Sequence, residues 1–110
     1  MALRDETLRE GLREDALKTA RRMARILVRD FGVTRVVLFG SAVREKSFDD
    51  ASDIDIAVEG LMKRDYFTAL ARLMRESQFE IDLKPIEDVS GSLRQRIEKG
   101  MLLYEKRKTP

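Results

Sequence analysis

The segment "VVLFGSAVREKSFDDASDIDIAV", residues 36–58, places the tightest limits on what this chain can fold into. An apolar, β-branched run ends at Gly40-Ser41, a polar loop covers residues 42–52, and a second apolar run opens with Asp53 and Asp55. In "DIDIAV" the alternation is strict, so on a strand Ile54, Ile56 and Val58 share one face while Asp53, Asp55 and Ala57 share the other. The two carboxylates then stand about 6 to 7 Å apart along that face. Like charges at that spacing repel, and a positive species between them would relieve the repulsion.

The surrounding pattern supplies a scaffold for such a pair. Leu8, Leu12, Ala16, Ala20, Met23, Ala24, Leu27 and Phe31 recur at spacings of three and four, which predicts an amphipathic helix. Gly11 weakens its first turns, leaving a firm part over 12–31, and Gly32 stands where a C-terminal cap belongs. Thr34 to Phe39 reads as a buried strand closed by Gly40-Ser41, and Asp53 to Val58 as a second. Residues 64–77 carry a helical stripe of Phe67, Leu70, Leu73 and Met74, with Asp65 as its cap. In "FEIDLKP", Phe79, Ile81 and Leu83 alternate with Glu80, Asp82 and Lys84, and Pro85 stops the strand. Ser90 or Ser92 caps a short helix through Lys99, Gly100 ends it, and "MLLYE" offers a last strand. The expected architecture is α+β: one domain, residues 1–110, with a small mixed sheet and helices mainly on one face. No repeat or interdomain linker interrupts it.

Composition removes whole classes of chemistry. The chain has no Cys and no His, which excludes thiolate nucleophiles, imidazole bases and His- or Cys-ligated metals. A general base must be a carboxylate, a lysine, a tyrosine or water. The 22 basic and 20 acidic residues nearly balance, and neither a helix-turn-helix nor an aromatic-basic patch appears, so nucleic-acid recognition is not expected. Residues 92–110 are locally basic and read as a solvated tail. No apolar run suits a signal peptide or a membrane span, so a cytoplasmic location is expected.

Asp82 joins the first two aspartates if the strands at 53–58 and 79–84 are neighbours, as consecutive strands usually are. Three clustered carboxylates suit hard divalent ions, and Mg²⁺ in particular combines a few carboxylates with phosphate oxygens and water. Gly40 lets backbone approach a bulky anion, and the amides of the following turn with the Ser41 hydroxyl can donate to phosphate. Metal and phosphate together point to a nucleoside triphosphate. An isolated Asp-x-Asp is commonly a solvated strand edge and an isolated Gly-Ser commonly a turn; their conjunction with a third strand aspartate is what points to a site.

"LFGSAVREKSFDDASDIDIAV" resembles the signature of the DNA polymerase β-like nucleotidyltransferase superfamily, specifically its minimal nucleotidyltransferases (MNT). "IEKGMLLYE" resembles the closing helix and strand of that group, so the likeness covers nearly the whole chain. The resemblance implies that Gly40 and Ser41 hold the triphosphate of ATP and that Asp53 and Asp55 bind two Mg²⁺ ions. It implies that Asp82 completes the second metal site and helps deprotonate an acceptor hydroxyl, with Arg44 in reach of the phosphates. Relatives often follow that arginine with glycine, whereas Glu45 follows here, and Asp49 and Asp50 add charge to a loop slightly longer than common. The resemblance further implies a HEPN-domain partner in a toxin-antitoxin pair, with AMP moved onto the partner, since 110 residues leave no room for an acceptor-binding domain. A second reading is a non-catalytic binding module that neutralises its partner by covering it. Self-association is left open.

Overall fold

The computed structural model describes the backbone of residues 2–44 and 52–107, and their side chains apart from those of 2–7 and 9. Glu45, Asp49 and Asp50, singled out above, lie outside the described residues. Helix α1 (Ala2–Phe31) is followed by strand β1 (Arg35–Phe39) and a 3-10 turn at Gly40–Ala42. Strand β2 (Ile54–Glu59), helix α2 (Tyr66–Glu76), strand β3 (Ile81–Pro85), helix α3 (Gly91–Glu98) and strand β4 (Met101–Glu105) complete the chain.

The four strands form one mixed sheet in the order β3-β2-β1-β4. β1 runs antiparallel to β2 and to β4, while β2 and β3 are parallel. Antiparallel neighbours accept a simple loop, but the parallel pair needs a crossover, and α2 supplies it. Ile54, Ile56 and Val58 point with Val36, Leu38, Ile81 and Leu83 into the main core, which α1 fills with Ala16, Ala20, Met23 and Leu27 and α2 with Ala69 and Leu73. This matches the inward face that the alternation of "DIDIAV" predicts. The opposite face is not bare: Val37, Phe39 and Ala57 form a second, smaller cluster with Ile86 and with Ile97 of α3. Among the described residues no helix is long and apolar enough to cross a membrane.

Local chemistry accounts for the element ends, with some departures from expectation. Gly32 takes a left-handed φ of 67°; its N–H bonds to the Val28 carbonyl at 3.2 Å and the Val33 N–H to the Leu27 carbonyl at 3.4 Å, a glycine-centred helix cap. α1 contains the expected firm part over 12–31 and continues back through Gly11 to Ala2, since one exposed glycine costs a helix only about 1 kcal/mol. Asp65 and Ser90 occupy the N-cap positions of α2 and α3, but neither side chain makes a capping hydrogen bond. Phe67 is 79% exposed and Met74 is 43% exposed. The buried line of α2 runs instead through Ala69 and Leu73, with Tyr66 and Leu70 half-buried beside them, and this line is rotated away from Phe67 by the helical pitch.

Candidate functional site

The face opposite the main core carries two rows of side chains across the sheet. Asp55 pairs in register with Phe39 of β1 on one side and with Asp82 of β3 on the other. Two residues along, Ala57 pairs with Val37 and with Lys84. Directly paired residues project to the same face, so one row reads Asp82, Asp55, Phe39 and the next Lys84, Ala57, Val37. The first is acidic and ends at an aromatic ring; the second carries one cation and packs under α3.

Gly40 follows Phe39 and opens the 3-10 turn with a φ of 79°. Its position is fixed by more than conformation. A Cβ built there would lie 2.0 Å from Oδ2 and 3.0 Å from Cγ of Asp55, a separation no real atom tolerates. Backbone and carboxylate therefore meet at a distance that only glycine permits. The turn is closed by Val43 N–H donating to the Gly40 carbonyl and Arg44 N–H donating to the Ser41 carbonyl, both at 3.2 Å. From the helical layer, Arg13 Nε of α1 donates to the Ala42 carbonyl at 3.0 Å and braces the same turn.

The three aspartates differ in surroundings. Asp53 stands one residue before β2 and is exposed, so it precedes the strand instead of opening it; Asp55 and Asp82 are half-buried on paired strands. Burial first, then the charges of Asp82 and Asp53, push the Asp55 carboxyl up to about 6, while the positive charges of Arg96 and Lys84 pull the other way. Lys84 Nζ lies 3.4 Å from Asp82 Oδ1. Among the described residues, no three acidic side chains converge as a closed metal cage as they stand. Asp53, Asp55 and Asp82 are the oxygen donors this face offers a hard cation, with the raised Asp55 marking a place where positive charge would be favourable.

Of the residues singled out from sequence, Gly40, Ser41, Asp53, Asp55 and Asp82 lie at this end of strands β1, β2 and β3. Arg44 is exposed at the last residue before 45–51, and it makes no ion pair among the described residues. Three neighbours were not anticipated. Lys84 was legible as the second polar residue of "DLK" on the same face as Asp82. Arg96 and Arg13 were not, because their closeness depends on how α3 and α1 dock.

A mixed sheet of this order, with aspartates on the parallel strands β2 and β3 beside a Gly-Ser turn, defines a nucleotidyltransferase domain. The family model described as polymerase beta, nucleotidyltransferase, matches residues 21–109, and the chain belongs to that family. Among curated proteins, none matches the chain. Among solved structures, the fold is similar to a toxin-antitoxin crystal structure with AMP-PNP, at 25% identity and a TM-score of 0.65, covering 79% of this chain and 74% of that one. It is also similar to a toxin-antitoxin MntA-HepT structure, at 23% identity and a TM-score of 0.60, covering 81% of this chain and 73% of the other. These neighbours agree with the MNT type of the family.

Proposed function

We propose that residues 1–110 form a single minimal nucleotidyltransferase domain that moves AMP from ATP to a hydroxyl of a HEPN-type partner in the cytoplasm, as the antitoxin of a toxin-antitoxin pair. The observation that carries this reading is the Asp82-Asp55-Phe39 row meeting the Gly40 turn, where a Cβ would strike Asp55. The toxin-antitoxin structures, one of them with AMP-PNP, support the choice of nucleotide and partner.

In this reading Asp53, Asp55 and Asp82 would hold two Mg²⁺ ions. Such ions, when bound, stabilise the attacking and leaving oxygens of an in-line displacement. Gly40 and Ser41 bind the triphosphate through backbone amides and a hydroxyl, held in place by Arg13 behind the turn. The acceptor oxygen attacks the α-phosphorus, the bond to the bridging oxygen breaks, and pyrophosphate departs. Asp82, with Lys84 beside it at 3.4 Å, accepts the hydroxyl proton. Arg44, exposed at the end of the turn, is a cation available to the outer phosphates.

Titration calorimetry of ATP with and without Mg²⁺, on wild type and on Asp53→Ala/Asp55→Ala, tests the site. Metal-dependent binding that the variant loses is expected. Incubation of the wild type with ATP, Mg²⁺ and a purified HEPN-type partner should add the mass of AMP to the partner. A partner that is neutralised equally by the variant, with no change of mass, would replace this reading with that of a covering module.

A further inference from the structure

Helix α3 lies over the aspartate face of the sheet, anchored by buried Ile97 and half-buried Leu93 against Phe39, Val37 and Ala57. The residue before that anchor is Arg96. Its guanidinium carbon is 6.0 Å from the centroid of the Phe39 ring, the geometry of a cation resting on an aromatic face. Phe39 is both the register partner of Asp55 and the residue that leads into the Gly40 turn. The guanidinium therefore sits over the junction of the two halves of the site.

Among the described residues, Arg44 at the Gly40 turn is likewise without an ion pair, but three other cations around this face are engaged. Lys84 pairs with Asp82 at 3.4 Å, Arg94 pairs with Glu98 at 3.5 Å, and Arg13 donates to the Ala42 carbonyl. Arg96 makes no ion pair among the described residues. Its charge reaches Asp55, but no hydrogen bond joins the two. A guanidinium stacked on a ring loses less freedom on binding than a free one, and its planar edge of donors matches phosphate oxygens in a bidentate fashion. An anchored arginine with open donors, beside a turn of backbone amides, fits a polyphosphate.

We infer that Arg96 is a polyphosphate-binding residue of this site, a cationic arm from α3 that joins the Gly40-Ser41 turn in holding the nucleotide. The inference rests on the nucleotide-site reading above and adds a residue from an element that reading does not use.

Calorimetric titration of Mg-ATP, Mg-pyrophosphate and Mn²⁺ alone into wild type, Arg96→Gln, Arg96→Lys and Arg94→Gln tests it. Removing a charge-assisted phosphate contact is expected to weaken Mg-ATP and Mg-pyrophosphate about tenfold in Arg96→Gln, with Arg96→Lys recovering part of the loss and Arg94→Gln matching wild type. Mn²⁺ alone should bind Arg96→Gln at least as tightly as wild type, because a repelling charge near Asp55 is gone. Equal affinity of Arg96→Gln and wild type for both phosphate ligands would overturn the inference while leaving the nucleotide site standing. So would a loss for Mg-ATP without one for Mg-pyrophosphate, which would move Arg96 to the sugar or base. A wild type that binds no Mg-ATP removes the underlying reading and this inference with it.

Discussion

Replacing Gly40 by alanine tests the closeness of turn and carboxylate directly. Two costs are expected. Alanine at a φ of 79° occupies the left-handed region at about 1–2 kcal/mol. The new methyl would fall 2.0 Å from Asp55 Oδ2, so the carboxylate or the turn must move, and overpacking of this kind costs about 1–3 kcal/mol more. Gly32 and Gly91 are internal controls: their φ values are 67° and 62°, and neither would place a Cβ within 4 Å of any neighbour. Gly32→Ala and Gly91→Ala should therefore show the conformational cost alone, and Gly40→Ala about twice as much or more. Urea unfolding followed by circular dichroism in EDTA gives these differences. The double variant Gly40→Ala/Asp55→Ala removes the struck atoms and leaves only the Asp55 Cβ at 3.3 Å. It should recover about 1–3 kcal/mol relative to the sum of the singles. A Gly40→Ala variant no less stable than Gly32→Ala, with no coupling to Asp55, would refute the contact and the shared site built on it.

Other outcomes follow from the same face and its supports. With the Asp55 carboxyl raised to about 6, folding favours its protonated form: this contribution is present below the ordinary carboxylate range and is lost as pH rises through about 6. Asp55→Asn should then stabilise the metal-free protein by about 1 kcal/mol at pH 7.5, after allowance for solvent screening of a half-exposed group, and by little at pH 4; melting temperatures at the two pH values check this. Arg13→Met removes the brace on the Ala42 carbonyl and should cost about 1 kcal/mol while weakening Mg-ATP binding in calorimetry. Ile56→Ala empties a fully buried place in the main core and should lower stability by about 2–5 kcal/mol in urea melts.

Much of this fold was legible because its strands are short and strongly patterned. "DIDIAV" fixed which side of β2 faces the core, and Gly32 and Gly100 marked the ends of helices. The parallel pairing of β2 with β3 was expected only as adjacency, yet it sets Asp55 beside Asp82. What stayed hidden depends on tertiary docking. Phe67 reads as core because it is apolar and three residues before Leu70 in the stripe, but the rotation of α2 leaves it exposed. The second apolar cluster was not foreseen, since Ala57 and Val37 alone do not announce that Ile86 and Ile97 will cover them. Asp53 falls just outside its strand, as strand ends depend on partners that periodicity does not specify.

The pairing of Asp55 with Asp82 also bears on how this sheet chooses one alignment over another. Sliding β3 by two residues would keep every side chain on its present face; it would set Asp55 opposite Lys84, an attraction, and Asp82 opposite Asp53, a second acidic pair in place of the first. A half-exposed charge pair of that kind is worth no more than about 1 kcal/mol. The same slide would carry Ile81 away from Ile54 to a place opposite Ser52, beyond the end of β2, and fully burying such a side chain is worth about 1.5–3 kcal/mol. The aliphatic residues on one side of the sheet thus decide which acidic residues on the other stand side by side, by a margin larger than the charges themselves contribute.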